Sequence, residues 1–247
     1  MKLIVLAAGK GTRFYPFTKN QPKALVPLSE KKLIDWVLLP YLKSVSEIIF
    51  IINDSSGSKL KSYISSQYKN HKTSFVTQGE NDEKGTLSAL EKAKELLKEG
   101  ELFCVCNCDD LLTENDVQNA IDEKKPGIGV SKAVMPWFYL GIITDPVNSI
   151  IKGFRRHKKT QDNEFIKDFY SNGFHILDTS IFKFNKEVAS ENEYGLPQTL
   201  FANLEKLELK AYLFGDWQAV NSPEDLEKAK IFISRHYGET FAKLGND

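Results

Sequence analysis

The chain lacks an excess of either charge: 33 Lys and Arg stand against 33 Asp and Glu in 247 residues. A neutral chain is a poor candidate for gripping nucleic acid through bulk charge. Phosphate binding, if present, is expected to be local, through a few placed cations. Long apolar runs are missing as well, since nothing approaches the roughly 20 residues of a membrane helix. The opening LIVLAA is too short for a signal-peptide core, and the GKGTR after it is no cleavage site. These absences lead us to expect a cytoplasmic protein that touches neither nucleic acid nor membrane. Cysteine is scarce, with three residues, Cys104, Cys106 and Cys108, all inside CVCNCDD. Strand alternation puts them on one face about 6.6 Å apart per step. Sulfurs sharing a zinc sit far closer, with Zn–S near ~2.3 Å. They are expected to be small buried residues of a core strand, and an odd number of thiols fits a reducing compartment.

What is present is an alternation of strand and helix signals. KLIVLAA, EIIFIIND, TSFVTQ and LFCVCN are near-continuous apolar runs. Between them lie KKLIDWVLLPYLKS, SSGSKLKSYISSQY and GTLSALEKAKELLKEG, with Thr86 a plausible N-cap and Gly100 a stop. TENDVQNAIDEKK follows, capped by Thr113. Apolar strands alternating with helices predict a mostly parallel sheet covered on both faces, a three-layer, Rossmann-like α/β fold. After Pro126 the pattern changes. GIGVSKAV, FYLGIITD, SIIKGFRR and DFYSNGFHIL are strand-like, broken by DPVNS and the polar HKKTQDNEF. LPQTLFANLEK is helical, KAYLFG a strand, and SPEDLEKAKIFISRHY a closing helix with Ser222 as N-cap and Pro223 first. No repeat or linker divides the chain, so a single domain over 1–247 is expected, with functional halves at 1–125 and 126–247.

In such sheets ligands bind outside the carboxyl ends of the strands. Three features sit there: LAAGKGTRFYPFTKNQPKALVPL, GTLSAL and NCDDLL. The first is not a dinucleotide fingerprint. Gly9 and Gly11 supply the first pair, but Phe14 stands where a third glycine belongs, and Pro16 and Pro22 break any helix. Nor does it have the spacing of a G-x-x-x-x-G-K-[ST] loop. A third mechanism remains: two glycines let loop N–H groups approach phosphate oxygens, Arg13 adds a planar multi-donor cation, and Lys23 a compact one.

LAAGKGTRFYPFTKNQPKALVPL resembles the signature of the nucleotidyltransferases that make NDP-sugars and related activated phosphates: a strand, L-A-[AG]-G-x-G-[TS]-R, a T, then P-K-x-L. TKNQPKALV is also similar to the phosphocholine cytidylyltransferase branch. GTLSAL resembles the family's G-T-x-x-A-L helix start, NCDDLL its N-G-D-x-L strand end, and AVNSPEDL its motif before the last helix. The resemblance implies the nucleotide-diphospho-sugar transferase fold and nucleotidyl transfer from an NTP, with CTP or UTP/dTTP favoured, to a sugar phosphate or other small phosphomonoester. It implies Mg²⁺, and a role in NDP-sugar supply for cell-surface polysaccharide; a homo-oligomer is possible. Residues implied at the nucleotide are Leu6, Ala7, Ala8, Gly9, Gly11, Thr12, Gln78, Gly85 and Thr86. Arg13, Lys23 and Asp109 are implied in catalysis, and Asp109 and Asn221 at the metal. Asp110 is the alternative to Asp109, because a strand end leaves either exposed. Asp216, Glu224 and Asp225 suit turn and helix-start roles.

Two departures bear on the acceptor. The family's E-K-P is absent and GFRRH stands there. Arg155 and Arg156 thus become the acceptor-side candidates, with Gly173, although an arginine cannot accept hydrogen bonds from sugar hydroxyls as a glutamate does. WQAVNSP puts Ala219 where sugar pyrophosphorylases often carry a metal aspartate. The missing E-K-P also raises a catalytically silent nucleotide-sensing module as an alternative.

Overall fold

The computed structural model describes residues 1–159 and 164–244. The turn expected at HKKTQDNEF therefore falls in part, at 160–163, outside the described residues. Seven strands make the main sheet: β1 (Lys2–Ala7), β2 (Glu47–Asn53), β3 (Thr73–Gln78), β4 (Phe103–Asn107), β5 (Gly127–Pro136), β6 (Phe165–Leu177) and β7 (Lys210–Phe214). Their order is β7-β5-β6-β4-β1-β2-β3. Of these seven, β6 runs antiparallel to both neighbours while the other pairings are parallel.

The apolar runs explain the centre of the sheet. A strand covered on both faces needs apolar side chains pointing both ways. Along β1, Leu3 and Val5 face one core layer while Ile4 and Leu6 face the other. Helices α1 (Leu33–Leu38), α2 (Gly57–Gln67), α4 (Glu114–Asp122) and α6 (Asp225–Leu244) cover the first layer. Helices α3 (Thr86–Glu91) and α5 (Leu196–Ala202) cover the second. The three-layer α/β arrangement is thus the one expected, and both core layers draw on residues from each half of the chain. Cys104 and Cys106 are buried in the first layer, as core strand residues. Burial pushes the Cys104 and Cys108 thiols up to about 12.

Helix boundaries differ in instructive ways. Thr113 caps α4 as expected, its hydroxyl accepting from the Asp116 N–H at 3.3 Å. Thr86 does not cap α3: Gly85 is the capping residue, and the Thr86 hydroxyl accepts from the Leu196 N–H at 2.8 Å. The helix ends early, at Glu91, before a short 3₁₀ turn over Lys94–Leu96. Ala93 is the last buried residue there, and Lys94, Glu95 and Leu96 are exposed, so no apolar face remains to hold a longer helix. α6 begins at Asp225 rather than after Ser222. The Asp225 carboxylate accepts from the N–H groups of Asn221 (2.9 Å) and Ser222 (3.0 Å), which fixes the turn that leads into the helix.

Past the last residue of β4, strands β5 and β6 continue alone as a projecting ribbon, with Lys132 opposite Phe169 and Pro136 opposite Phe165. The ribbon extends beyond the carboxyl end of β4. Three short pairings were not visible in the sequence: Pro27–Leu28 with Lys31–Lys32, Asp110–Leu112 with Trp217–Ala219, and Val188–Ser190 with Glu193–Tyr194.

Candidate active site

The opening loop leaves the sheet at Ala7, and the Asn53 side chain donates to the Ala8 carbonyl at 3.2 Å. A Cβ on Gly9 would meet nothing within 4 Å, so this glycine leaves an open approach rather than filling a packing need. Gly11 is different. Its φ is +63°, and a Cβ would lie 3.1 Å from Thr18 Cγ2 and 3.2 Å from Lys23 Cβ. The Thr18 hydroxyl donates to the Gly11 carbonyl at 2.8 Å and folds the loop back on itself. A 3₁₀ turn over Thr12–Phe14 sends Phe14 into the core and leaves Arg13 outside. A second turn, Lys23–Leu25, follows Pro22 at φ −66°, the value that proline presets. It buries the Lys23 stem and holds its ammonium 5.1 Å over the Phe14 ring.

Lys23 forms an ion pair with Asp109, from just beyond β4. Two backbone contacts fix that strand end: the Cys108 N–H donates to the Leu6 carbonyl (3.3 Å), and the Val220 N–H donates to the Asp109 carbonyl (2.9 Å). The second brings Asn221 beside Asp109. Asp110 is more deeply set. It accepts from the Asn107 side chain at 2.8 Å and from the Trp217 indole at 2.7 Å. Burial, and then the charge of Asp109, raise its carboxyl well above the usual range. Of the two acids, Asp109 is the one aimed at the lysine and the cleft, while Asp110 is held in the wall. Gly173 stands behind it at φ +82°, and a Cβ there would overlap the Asp110 carboxylate.

The Asp109 carboxylate and the Asn221 amide are oxygen donors of the type that suits Mg²⁺. Among the described residues no three His, Cys, Asp or Glu side chains converge as a ligand set. The protein alone thus offers few ligands, as a site would that shares its ion with substrate phosphates.

On the other side, Gln78 at the end of β3 is buried and donates to the Glu83 carbonyl at 2.8 Å. Gly85 has φ +97°, and a Cβ on it would overlap the backbone of Tyr194. Gln78, Gly85 and Thr86 therefore belong to one tied loop.

The acceptor-side candidates are spread out. Arg155 pairs with Asp168 at 2.6 Å, and His157 lies 3.4 Å from the same carboxylate. Arg156 sits 5.5 Å from the Phe154 ring centroid. Gly173 stays with the acids instead. Sequence reasoning missed Tyr139, whose hydroxyl feels the Arg13 charge and whose ring meets Tyr170 edge-on at 6.4 Å. It also missed Asn107 and Trp217 as partners of Asp110; the tryptophan lay inside the quoted WQAVNSP, whereas nothing local marks Tyr139.

This layout is that of a nucleotide-handling α/β protein with an acid–lysine pair at the strand ends. A family model described as nucleotidyl transferase matches residues 2–235, and the chain belongs to that family. It is similar to the bifunctional protein GlmU of Methanocaldococcus jannaschii, 26% identical over 94% of this chain and 54% of that protein. It is also similar to the bifunctional IPC transferase and DIPP synthase of Aquifex aeolicus, 26% identical over 93% of this chain and 51% of the other. The chain thus spans about half the length of these curated relatives. Among solved structures, the inositol-1-phosphate CTP transferase from T. maritima superposes with a TM-score of 0.77 over 94% of both chains at 17% identity. A UDP-glucose pyrophosphorylase in complex with UDP-glucose gives 0.78 over 95% of this chain and 98% of that one at 19% identity.

Proposed function

We propose that this chain transfers a nucleoside monophosphate from an NTP to a sugar phosphate or another small phosphomonoester, with release of pyrophosphate. Residues 1–125 serve the NTP and 126–247 the acceptor, within one domain. The observation that carries this reading is the Lys23–Asp109 pair beside a glycine-bearing loop that also holds Arg13. A pyrimidine donor, CTP or UTP/dTTP, is favoured by LAAG rather than LAGG and by the similarity to cytidylyltransferases. An NTP donor fits a cytoplasmic location and NDP-sugar supply for cell-surface polysaccharide.

The attacking group needs no catalytic base, because the second pKa of a phosphomonoester is about 6. The barrier is the meeting of two anions and the charge on the α-phosphoryl group. Fixed cations and oriented donors reduce it. The amides around Gly9 and Gly11 would cradle phosphate oxygens, and Arg13 would hold the β- and γ-phosphates of the leaving group. Lys23 would turn from Asp109 toward the α- and acceptor phosphates. Leu6, Ala7, Ala8, Thr12, Gln78, Gly85 and Thr86 would surround the nucleotide; Arg155, Arg156 and Gly173 would stand on the acceptor side. Asp109, with Asn221, would hold Mg²⁺, which neutralises phosphate charge when bound. Asp110 keeps Asp109 in register.

The test is pyrophosphate release over a matrix of four NTPs and a panel of sugar phosphates and small phosphomonoesters. Turnover is expected with a pyrimidine NTP and a restricted set of acceptors. Tight NTP binding with no turnover anywhere in the matrix would replace this reading with the sensing module.

A further inference from the structure

The loop from Gln78 to Thr86 is held from a distant part of the chain. Its Lys84 N–H donates to the Asn192 carbonyl (3.3 Å), and the Tyr194 N–H donates back to the Lys84 carbonyl (2.8 Å). The Leu196 N–H reaches the Thr86 hydroxyl. These partners lie in and after the hairpin Val188–Ser190/Glu193–Tyr194. Its base is closed by Gly195 N–H on the Glu187 carbonyl (3.0 Å) and by Glu187 N–H on the Thr199 hydroxyl (2.9 Å), which ties it to α5. Lys186, just before the hairpin, forms ion pairs with Glu83 and, at 3.2 Å, with Glu91, and its ammonium lies 5.0 Å from the Tyr194 ring centroid. One cation thus joins the loop, helix α3 and the hairpin.

We infer that the segment 186–195, although it lies in the acceptor half of the chain, is an exception to that division and part of the nucleotide-recognition machinery, and that Lys186 is a positioning residue that sets discrimination between bases. This rests on the proposed placing of Gln78, Gly85 and Thr86 around the nucleotide, and takes the Gly85 loop as the part of it that meets the base. The physical reason is the fit of Gly85 against Tyr194. The loop backbone lies where a Cβ would overlap the Tyr194 main chain, so the hairpin decides where Gly85 sits. Base recognition through backbone groups is sensitive to displacements of about 1 Å. Lys186 holds the two surfaces together by neutralising Glu83 and Glu91 at their junction.

The test compares wild type with Lys186→Met, which keeps most of the stem, and with Lys186→Arg, each checked for an unchanged thermal transition. In Lys186→Met the KM for the preferred NTP should rise about tenfold. The kcat/KM ratio between best and second-best NTP should fall, with kcat and acceptor KM within about twofold. Lys186→Arg should recover most of the loss, because it keeps the charge. Glu91→Gln is the second variant if Lys186→Met does not fold, and a several-fold rise in NTP KM is expected there too. A change in acceptor KM instead, or an unchanged NTP preference in a folded variant, overturns the inference. Should wild type bind NTP without turnover, catalysis fails as a reading, and calorimetric NTP selectivity in the same variants decides this one. No NTP binding by wild type overturns both.

Discussion

Two cation–carboxylate pairs, Lys23–Asp109 and Arg155–Asp168, are built in opposite ways. Lys23 is nearly buried, with a side-chain exposure of 10%, and its partner Asp109 stands at the strand ends, where phosphates and a metal ion would arrive. Arg155 is half exposed at 54%, and its partner Asp168 is buried at 11%. The Asp168 carboxylate is also shared: one oxygen takes Arg155 and faces His157, and the other accepts from the Phe169 N–H at 2.8 Å. The first pair can exchange its partners for substrate without leaving a buried charge alone. The second ties Asp168 of β6 to Arg155, at the end of the strand Ile151–Arg155. An ion pair beside a candidate cleft is therefore read from what else holds its carboxylate.

The sharpest way to break this contrast is Asp109→Ala. If the pair is exchangeable and catalytic, pyrophosphate release should fall by at least about 10³-fold, roughly 4 kcal/mol of transition-state stabilisation. The urea midpoint should fall as well, because the nearly buried Lys23 loses its carboxylate partner. A release rate within tenfold of wild type would remove Asp109 from the chemistry and make the Lys23 pair structural.

A group outside both pairs calibrates stability. His175 on β6 is fully buried, and burial pulls its imidazole down to about 4. In the unfolded chain it titrates near ~6.5. The unfolded state then takes up the proton first, so stability is complete above about pH 6.5 and is lost as pH falls toward 4. The loss approaches about 3 kcal/mol for this one residue. Urea midpoints between pH 7 and pH 4, compared with His175→Gln, should show a shallower slope in the variant. Equal slopes would mean that the histidine charges in place.

The parts of the molecule that the sequence made legible are those built by local chemistry. Three apolar runs became β1, β2 and β4 because each is long enough to be covered on both faces, while TSFVTQ became the half-exposed edge strand β3. Thr113 capped α4 because its partner is three residues away. The opening-loop residues, Lys23 and Asp109 were legible as one site because the resemblance placed them in order along the chain. What escaped depends on distance. Lys186 meets acids 103 and 95 residues away, and no periodicity encodes that. Tyr139 reaches Arg13 because β5 and β6 outrun the rest of the sheet, a length the strand-like segments understated. Thr86 looked like a cap because threonine before an apolar run usually is one, yet its hydroxyl serves Leu196 instead.

Asp168→Asn probes the second pair with a smaller expected effect. It removes the charge that Arg155 and His157 share but keeps the shape. A stability loss of about 1–2 kcal/mol is expected, with kcat within threefold of wild type. A loss of turnover at unchanged stability would show that Asp168 acts on substrate and that the two pairs are alike.

Arg155→Met carries the smallest effect and the finest distinction. Its guanidinium meets Asp168 through one N–H group, and the side chain is half exposed. An exposed pair of this kind contributes less than about 1 kcal/mol to stability, since water screens the outer edge. The free N–H groups can still meet an acceptor phosphate weakly, without leaving Asp168. The acceptor KM should therefore rise by about threefold, with kcat and NTP KM unchanged. Activity assays at two salt concentrations add a second check, because a contact through the exposed edge weakens as ionic strength rises. A rise beyond about thirtyfold would need Arg155 to release Asp168 and turn fully to the acceptor. It would then behave as Lys23 is expected to, and burial of the partner carboxylate would no longer separate exchangeable pairs from fixed ones.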